Sequence, residues 1–229
     1  MDLDLELRGF EGDCRLFPLP DVVLFPHCVL PLHIFEPRYR QMTEDALASD
    51  RLIAMVQIRD GADGNATADP PIDSVACLGR IFDHHRLEDG RYNLLLVGLK
   101  RVRLICELET DRLYRKARVE PLEDVYPDEP IEELRDELIS LFRQTCHREG
   151  RVEPEIARLL EAPVPTGVLT DLLGHYLELS PALKRNFLAE YRVERRARSL
   201  IRLLREHLQA LGRPSEDGGI GFPPPFSRN

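Results

Sequence analysis

The sequence lacks any long apolar run and any recognisable leader. No stretch approaches the roughly 20 consecutive apolar residues that a membrane-spanning helix needs. The opening residues, MDLDLELRGF, are acidic and alternating, without the basic and then apolar regions of a secretory signal peptide. We therefore predict a cytoplasmic protein that does not enter a membrane.

Cysteine is scarce and irregularly spaced. The five cysteines are odd in number and scattered from Cys14 to Cys146, whereas a secreted disulfide framework prefers an even count and tight spacing. Most of them stand beside aliphatic residues, so we interpret them as small buried hydrophobic residues. A catalytic thiol would need a partner histidine whose position the sequence does not reveal.

The spacing of common metal ligands is also missing. No C-x-x-C or H-x-x-x-H pattern occurs in the chain. His84 and His85 are adjacent on a predicted strand, where neighbouring side chains point to opposite faces and chelate poorly. We predict neither a metal site nor a cofactor.

Lysine is almost absent, and negative charge dominates. Of the 31 basic residues, only Lys100, Lys116 and Lys184 are lysines, a bias that we attribute to a GC-rich genome. The formal net charge is −9. Because proteins that bind the nucleic-acid backbone usually carry a basic surface, this balance disfavours a general role in nucleic-acid binding.

What the sequence does contain is the composition of a globular protein. Its 229 residues are 43% hydrophobic and 31% charged, which suits one large domain or two small ones with a real core. Residues 52–58 form an apolar run of strand length, and residues 101–107 alternate charged and apolar side chains. Asp89-Gly90 is a strong hairpin signal, since glycine accepts a positive φ.

Four prolines interrupt the strand-like region at 15–35. Proline cannot donate to a strand ladder, so it marks the edges and ends of strands. We predict a first strand at 16–19 with Pro18 at an edge, a connection lying on the core at 21–26, and a second strand at 28–35. The prolines thus specify where pairing stops, and they protect an apolar strand from edge-to-edge aggregation.

The second half of the chain has a helical period. Residues 131–145 place apolar side chains at steps of three and four. Further helices are predicted to begin at Pro154, at Thr166 and at Ser180, where serine followed by proline supplies a cap and a first-turn proline. The last helix is long and amphipathic and ends at Gly212. These segments predict a bundle of four or five helices.

The predicted fold class is α+β, a twisted antiparallel sheet or pseudo-barrel with one helix, followed by a C-terminal α-helical bundle. The predicted divisions are a lead-in at 1–13, a β-rich subdomain at 14–124, a helical bundle subdomain at 125–212 and a disordered tail at 213–229.

The block LFPLPDVVLFPHCVLPLHIF at 16–35 resembles the start of the N-terminal domain of the ATP-dependent Lon protease, whose signature reads LPLRDVVLFP-x-x-VLPL. The similarity continues through EPRYR at 36–40, which matches stand-alone members, and returns in VACLGRI at 75–81 and DGRYNLLLVGLKRVR at 89–103. The helical half matches more loosely. The sequence departs from the signature in having Pro20 where arginine is common.

This resemblance implies a PUA-like β half followed by a helical bundle, and a role in gathering unfolded or tagged polypeptides. The sequence contains no G-x-x-x-x-G-K-[ST] phosphate loop, and its three lysines lie in segments that match non-catalytic regions. We therefore predict a non-enzymatic polypeptide-binding module without the AAA+ and peptidase domains, which acts alone or as an adaptor to a protease or chaperone.

The candidate binding residues flank the second predicted strand, and they are Phe25, Pro26, Phe35, Glu36, Arg38 and Tyr39. The four apolar members would line a groove for exposed segments, and an edge strand would add a peptide strand by main-chain pairing. The two charged members, at a helix start, would orient the peptide. The alternative interpretation is that the apolar members fill the core or the strand–helix joint.

Two other functions stay open. PUA-like folds elsewhere bind RNA, and the last predicted helix is locally basic. Its arginines are Arg192, Arg195, Arg196, Arg198, Arg202 and Arg205. Glutamates are interleaved with them, so a solvated, salt-bridged face is the alternative interpretation. A small-molecule pocket between the two halves is the third function considered. The sequence does not predict an oligomeric state.

Overall fold

The computed structural model describes residue 7 and residues 9–59, 70–150 and 162–211. Within these residues the chain forms six strands and five helices. The strands are β1 (Asp13–Leu19), β2 (Val29–Ile34), β3 (Leu52–Ile58), β4 (Ile72–Arg86), β5 (Tyr92–Leu108) and β6 (Lys116–Leu122). The helices are α1 (Pro37–Leu47), α2 (Glu132–Arg148), α3 (Thr166–Tyr176), α4 (Pro181–Ala189) and α5 (Val193–Leu211). The helix predicted from Pro154 and the tail predicted at 213–229 lie outside the described residues.

The six strands join one sheet in the order β2-β5-β4-β3-β1-β6. The 17-residue strand β5 pairs with β2 and β4 in its first part and with β4 and β6 in its second part. Because β5 also bonds β6, five strands close into a ring, and β2 stays outside it as an added edge strand. A closed ring removes the unpaired edges that an open sheet would expose.

One strand pair is parallel, which corrects the prediction of an antiparallel sheet. Residues 16–19 of β1 lie beside residues 54–57 of β3 and run in the same direction. A parallel pair needs a long crossover connection. The chain supplies one, because β2 and α1 both lie between β1 and β3 in the sequence. The other described pairs are antiparallel.

The hairpin predicted at Asp89-Gly90 is confirmed between β4 and β5. Leu87 N donates to Arg91 O at 2.8 Å, and Gly90 N donates to Leu87 O at 2.9 Å. Gly90 has a φ of +79°, a conformation that favours glycine. The Asp89 carboxylate accepts a hydrogen bond from Arg91 N at 3.0 Å, which holds the turn from its other side.

The prolines stand where strand pairing stops. β1 bonds β3 along residues 16–19, but β6 covers the other side of β1 only over its first three residues. Pro18 therefore has one side without a neighbouring strand, and its carbonyl accepts a hydrogen bond from the Tyr39 hydroxyl at 3.1 Å. Pro31 lies in β2 at the edge of the sheet. Both positions follow the rule that proline belongs at strand edges.

The connection from β1 to β2 crosses closely over β5. His27 N donates to Gly98 O at 2.8 Å, and Gly98 N donates to Cys28 O at 2.9 Å, so two residues oppose one in a bulge. A Cβ atom on Gly98 would lie 2.1 Å from the Phe25 carbonyl oxygen. Only glycine fits this crossing. The connection lies on the core as predicted, with Val23, Leu24 and Phe25 buried.

The described helices follow the predicted period. The Ser180 hydroxyl accepts a hydrogen bond from Leu183 N at 3.3 Å and caps α4 as predicted. α2 begins at Glu132, because Ile131 keeps a φ of −118° and a ψ of 21° outside the helical region. No described helix is long and apolar enough to cross a membrane. The division of the chain into subdomains stays a prediction.

The core consists of two hydrophobic clusters. One draws alternate residues from the five strands of the ring, and its small members Ala54, Ala76 and Ala117 suit the narrow interior. The other lies between the sheet and the helices and includes Phe25 of the connection and Leu200 of α5. Strands and helices therefore share this second cluster rather than burying separate cores.

A buried ion network crosses the boundary between sheet and helices. Arg101 of β5 donates to the Asp171 carboxylate of α3 through both terminal nitrogens, one of them at 2.8 Å. Arg196 of α5 donates twice to Asp124, each time at 2.7 Å, and to the Thr170 hydroxyl at 3.0 Å. Arg196 is only 1% exposed, which corrects its assignment to a solvated arginine face.

Candidate functional site

The predicted binding residues divide into a buried set and an exposed set. Phe25, Pro26 and Tyr39 are buried, whereas Phe35 is 60% exposed. Glu36 and Arg38 are partly exposed at the start of α1. Of the four apolar candidates, only Phe35 therefore contributes its side chain to the surface.

The buried candidates hold the segment around β2 in place. The Phe25 ring lies 6.5 Å from the His175 ring of α3, edge to face. The Tyr39 ring lies 4.4 Å from Phe17 of β1, and its hydroxyl bonds the backbone of Pro18. Burying rings of this size stabilises the fold. Their role in the described structure is to position β2 and α1.

The two charged candidates pair with each other. Arg38 Nε donates to Glu36 Oε2 at 2.9 Å, and the guanidinium lies 4.5 Å from the centre of the Tyr39 ring. An exposed ion pair contributes little to stability. Both side chains stay within reach of a ligand that approaches Phe35, and they present one charge of each sign to it.

An exposed apolar surface extends from Phe35 across the outer face of three strands. We call it the β2 strip, and its members are Val29, Pro31, Phe35, Phe82 and Leu95. Pro31 of β2 stands directly opposite Leu95 of β5. Phe82 of β4 is 67% exposed, since it follows the fully buried Ile81 and neighbouring side chains of a strand point to opposite faces.

Polar groups lie within the β2 strip and beside it, toward the hairpin, and His33 stands between Pro31 and Phe35. His33 Nδ1 and Asn93 Oδ1 lie 2.7 Å apart, and Arg91 Nη1 lies 3.3 Å from His33 Nε2. The His33 and Phe35 rings stack with centres 6.2 Å apart. A shallow depression of about 370 Å³ runs along this border and includes Pro31, His84 and Leu95 in its lining. The strip thus combines apolar side chains with hydrogen-bonding groups that lie within it and at its margin.

A second concave site lies between the sheet and α4, where a small-molecule pocket was considered. This cleft has a volume of about 330 Å³ and an apolar floor that includes Leu24 and Leu188. Gln57 Nε2 donates to Pro20 O at 2.9 Å, while Gln57 Oε1 has no hydrogen-bond partner. The Asp73 carboxylate at the rim forms ion pairs with Arg59 at 3.1 Å and with Arg185 at 3.7 Å.

Burial suppresses the reactivity of several potential nucleophiles among the described residues. Burial raises the pKa of Cys14 and of Cys28 to about 12, so both are thiols rather than nucleophilic thiolates at neutral pH. Lys184 is held by a hydrogen bond from Nζ to His175 O at 2.9 Å, and burial lowers its pKa. No group of three or more possible ligands among the described residues could hold a metal ion.

The basic last helix is largely neutralised by neighbouring carboxylates. Arg198 pairs with Glu194 at 2.8 Å, and Arg205 pairs with Glu137 of α2. With Arg196 buried in the ion network, α5 presents a surface of mixed charge. This arrangement fits the salt-bridged interpretation of the helix.

Comparison with known protein families identifies the chain. A family model described as the ATP-dependent protease La (LON) substrate-binding domain matches residues 13–206. The Lon protease of Desulfosudis oleivorans is 24% identical over 200 residues, which cover 86% of this chain and 24% of that protein. The Lon protease of Xanthomonas oryzae pv. oryzae is 26% identical over 193 residues, which cover 84% of this chain and 23% of that protein. The chain thus spans about a quarter of the length of these curated relatives.

Solved structures share the fold. The N-terminal domain of the Mycobacterium avium complex Lon protease superposes with a TM-score of 0.70 at 19% identity, covering 85% of this chain and 99% of that one. A Lon N-terminal domain protein from Xanthomonas campestris gives a TM-score of 0.58 at 24% identity, and the match covers 83% of this chain and 97% of that one. The chain therefore belongs to the family of ATP-dependent protease La (LON) substrate-binding domains.

Proposed function

We propose that this chain is a non-catalytic module that binds unfolded or degron-bearing polypeptides through the β2 strip. It would act alone or deliver its clients to a protease or chaperone. Membership of the LON substrate-binding family supports the class of ligand. The five-stranded ring supports assigning the first half to the PUA-like class that the resemblance implies.

The observation that carries the proposal is the exposure of large apolar side chains on adjoining strands. Phe35 and Phe82 are more than half exposed, and Val29 and Leu95 are 49% and 36% exposed. A contiguous apolar patch with a polar rim commonly marks an interaction surface. The buried residues beneath the strip keep it in place, so the surface does not have to be ordered when a client binds.

The strip suits an unfolded client better than a folded one. Folded proteins bury most of their large apolar side chains, whereas an unfolded segment exposes them. Burying one phenyl ring contributes about 1.5–3 kcal/mol. A few such contacts, reduced by the entropy lost on association, would give reversible binding that lets a client be passed on.

The non-catalytic part of the proposal rests on residue chemistry. The chain has no phosphate loop for ATP, and burial keeps the thiols of Cys14 and Cys28 protonated. Purified protein should therefore neither hydrolyse ATP nor cleave casein. Turnover of either substrate in proportion to protein concentration would contradict this part of the proposal.

The binding test uses a permanently unfolded polypeptide, such as reduced and alkylated lactalbumin, and its native form as competitor. The variant Phe35→Ser/Phe82→Ser should weaken binding of the unfolded form at least about tenfold, since two rings lose their contacts. The matched control is Ile105→Ser/Leu113→Ser, which alters two other exposed apolar residues outside the strip. Equal affinity of both variants for the unfolded form, or equal binding of the native form, would refute the proposal.

A further inference from the structure

Among the described strands, β2 leaves one edge of the sheet unpaired. It pairs with β5 along all six of its residues and with no other described strand. The side chains of alternate residues along it, Val29, Pro31 and His33, are exposed. β2 is therefore an accessible edge strand, and two of its own residues, Val29 and Pro31, belong to the β2 strip.

One hydrogen bond fixes the direction of every backbone group along this edge. Gly98 N of β5 donates to Cys28 O at 2.9 Å, so the Cys28 carbonyl points toward β5. Backbone groups alternate sides along a strand, so those of the even-numbered residues also point toward β5. Those of the odd-numbered residues point to the free edge, and these residues are Val29, Pro31 and His33.

The free edge offers a defined set of hydrogen-bonding groups. Val29 and His33 each present one N–H and one C=O, whereas Pro31 presents only its C=O because proline has no N–H. Among the described residues none of these backbone groups has a backbone partner. They span about 13 Å at the rise of an extended strand.

We propose that this edge takes an extended segment of a client polypeptide as an additional strand. The inference rests on the proposed function and specifies how the client is held. An extended polypeptide backbone carries donors and acceptors at the alternating spacing that the edge requires. Side chains on the outer face of the added strand would lie beside Val29, Pro31 and Phe35, so apolar residues at alternate positions are favoured. The client segment is extended and free of internal proline, and it is not an amphipathic helix.

Pro31 limits the strength of this pairing. Its missing N–H removes one hydrogen bond from the centre of the edge. Proline on an edge strand also hinders unwanted pairing between copies of a protein. The edge is therefore suited to short, reversible pairing with a client rather than to permanent sheet extension.

N-methylated peptides test the pairing directly. The probe is a peptide of about ten residues in which valine alternates with threonine, with lysine at both ends for solubility. One variant carries N-methyl groups on its central valines, and the other carries them on its central threonines. Each set removes N–H donors from only one edge of the extended peptide. Fluorescence anisotropy measures the affinity of the full chain for each peptide.

Strand addition requires that one methylated peptide loses binding and the other retains it. The set that loses binding identifies the peptide residues that face β2. Equal affinity of both methylated peptides, or equal loss, would overturn strand addition. The proposed function is judged separately by the Phe35→Ser/Phe82→Ser variant, so side-chain binding at the strip without strand addition remains distinguishable.

Pro31→Val supplies a second test, because it adds the missing N–H without altering the rest of the edge. It should tighten binding of the unmethylated peptide about two- to tenfold, the contribution of one net hydrogen bond. The gain should be absent for the methylated peptide that does not bind. Sedimentation of the variant shows whether a second copy occupies the edge instead. Self-association without tighter peptide binding would overturn the proposal.

Discussion

At the scale of single residues, the buried charges between sheet and helices have the largest energetic consequences. Arg101 and Asp171 are about 2% and 1% exposed, and each would be costly to bury alone. Arg101 is fully engaged, because its Nε also donates to Leu188 O at 2.9 Å. Asp171 further lies 3.6 Å from Arg196 Nε, so one carboxylate serves two guanidinium groups.

Asp171→Asn should lower the free energy of unfolding by about 3–5 kcal/mol, because it removes the negative charge that two buried arginines share. Denaturation with urea measures the change. The matched control is Glu194→Gln, which breaks an exposed pair with Arg198 and should cost less than about 0.5 kcal/mol. Similar losses in both variants would show that the buried network does not stabilise the fold.

The candidate site could be predicted from the sequence only in part, and single residues show why. Phe25 and Phe35 are chemically alike, and one precedes the second predicted strand while the other ends it, yet Phe35 is exposed and Phe25 is buried. Their difference depends on what packs over them, and for Phe25 this is α3, which is distant in the sequence. Phe82 was not predicted as a site residue, because alternation with Ile81 gives its direction but does not show whether another segment covers the outer face of β4.

At the scale of elements, local signals were reliable and long-range pairing was not. The Asp89-Gly90 hairpin and the Ser180 cap depend on neighbouring residues, and both were predicted. The parallel pairing of β1 with β3 depends on a crossover through β2 and α1, and periodicity carries no information about strand direction. The bulge at Gly98 also brings together segments that are far apart in sequence.

Two glycines that contact the same aromatic residue should respond to alanine in opposite ways. At Gly98 a Cβ atom would lie 2.1 Å from the Phe25 carbonyl oxygen, and backbone cannot move aside as a side chain can. At Gly174 in α3 a Cβ atom would meet the Phe25 ring at 3.5 Å, an ordinary contact. Gly98 therefore maintains the crossing of the connection over β5, whereas Gly174 leaves room for a methyl group.

Gly98→Ala should destabilise the protein by more than about 2 kcal/mol, in the range of backbone strain and overpacking. Gly174→Ala should be neutral or should stabilise by up to about 1 kcal/mol, because alanine is the better helix former. Thermal and urea unfolding of both variants measures the difference. A stable Gly98→Ala variant would show that the connection does not cross β5 as closely as described.

At the scale of the whole molecule, two histidines lie where the sheet meets the helices. Burial and the nearby Lys184 lower the pKa of His175, and its Nδ1 is buried without a hydrogen-bond partner. His27 reaches the surface, yet partial desolvation by the surrounding protein also lowers its pKa, although the charges of Asp171 and Asp124 act in the opposite direction. The folded state therefore resists protonation of both rings. In the unfolded chain both histidines take up protons around their ordinary pKa of 6.5.

Because the unfolded state binds more protons, the free energy of unfolding should fall as the pH is lowered from about 7.5 to about 5.5. The two neutral histidines contribute their full stabilisation at pH values above their unfolded pKa. This contribution is lost as the pH falls toward their lowered pKa values in the folded state. His175→Leu should flatten this dependence, since leucine does not titrate. His27→Asn should flatten it further while tolerating the φ of +66° at that position. Urea unfolding across the pH range measures the slopes, and an unchanged slope in the double variant would show that other groups govern the acid response.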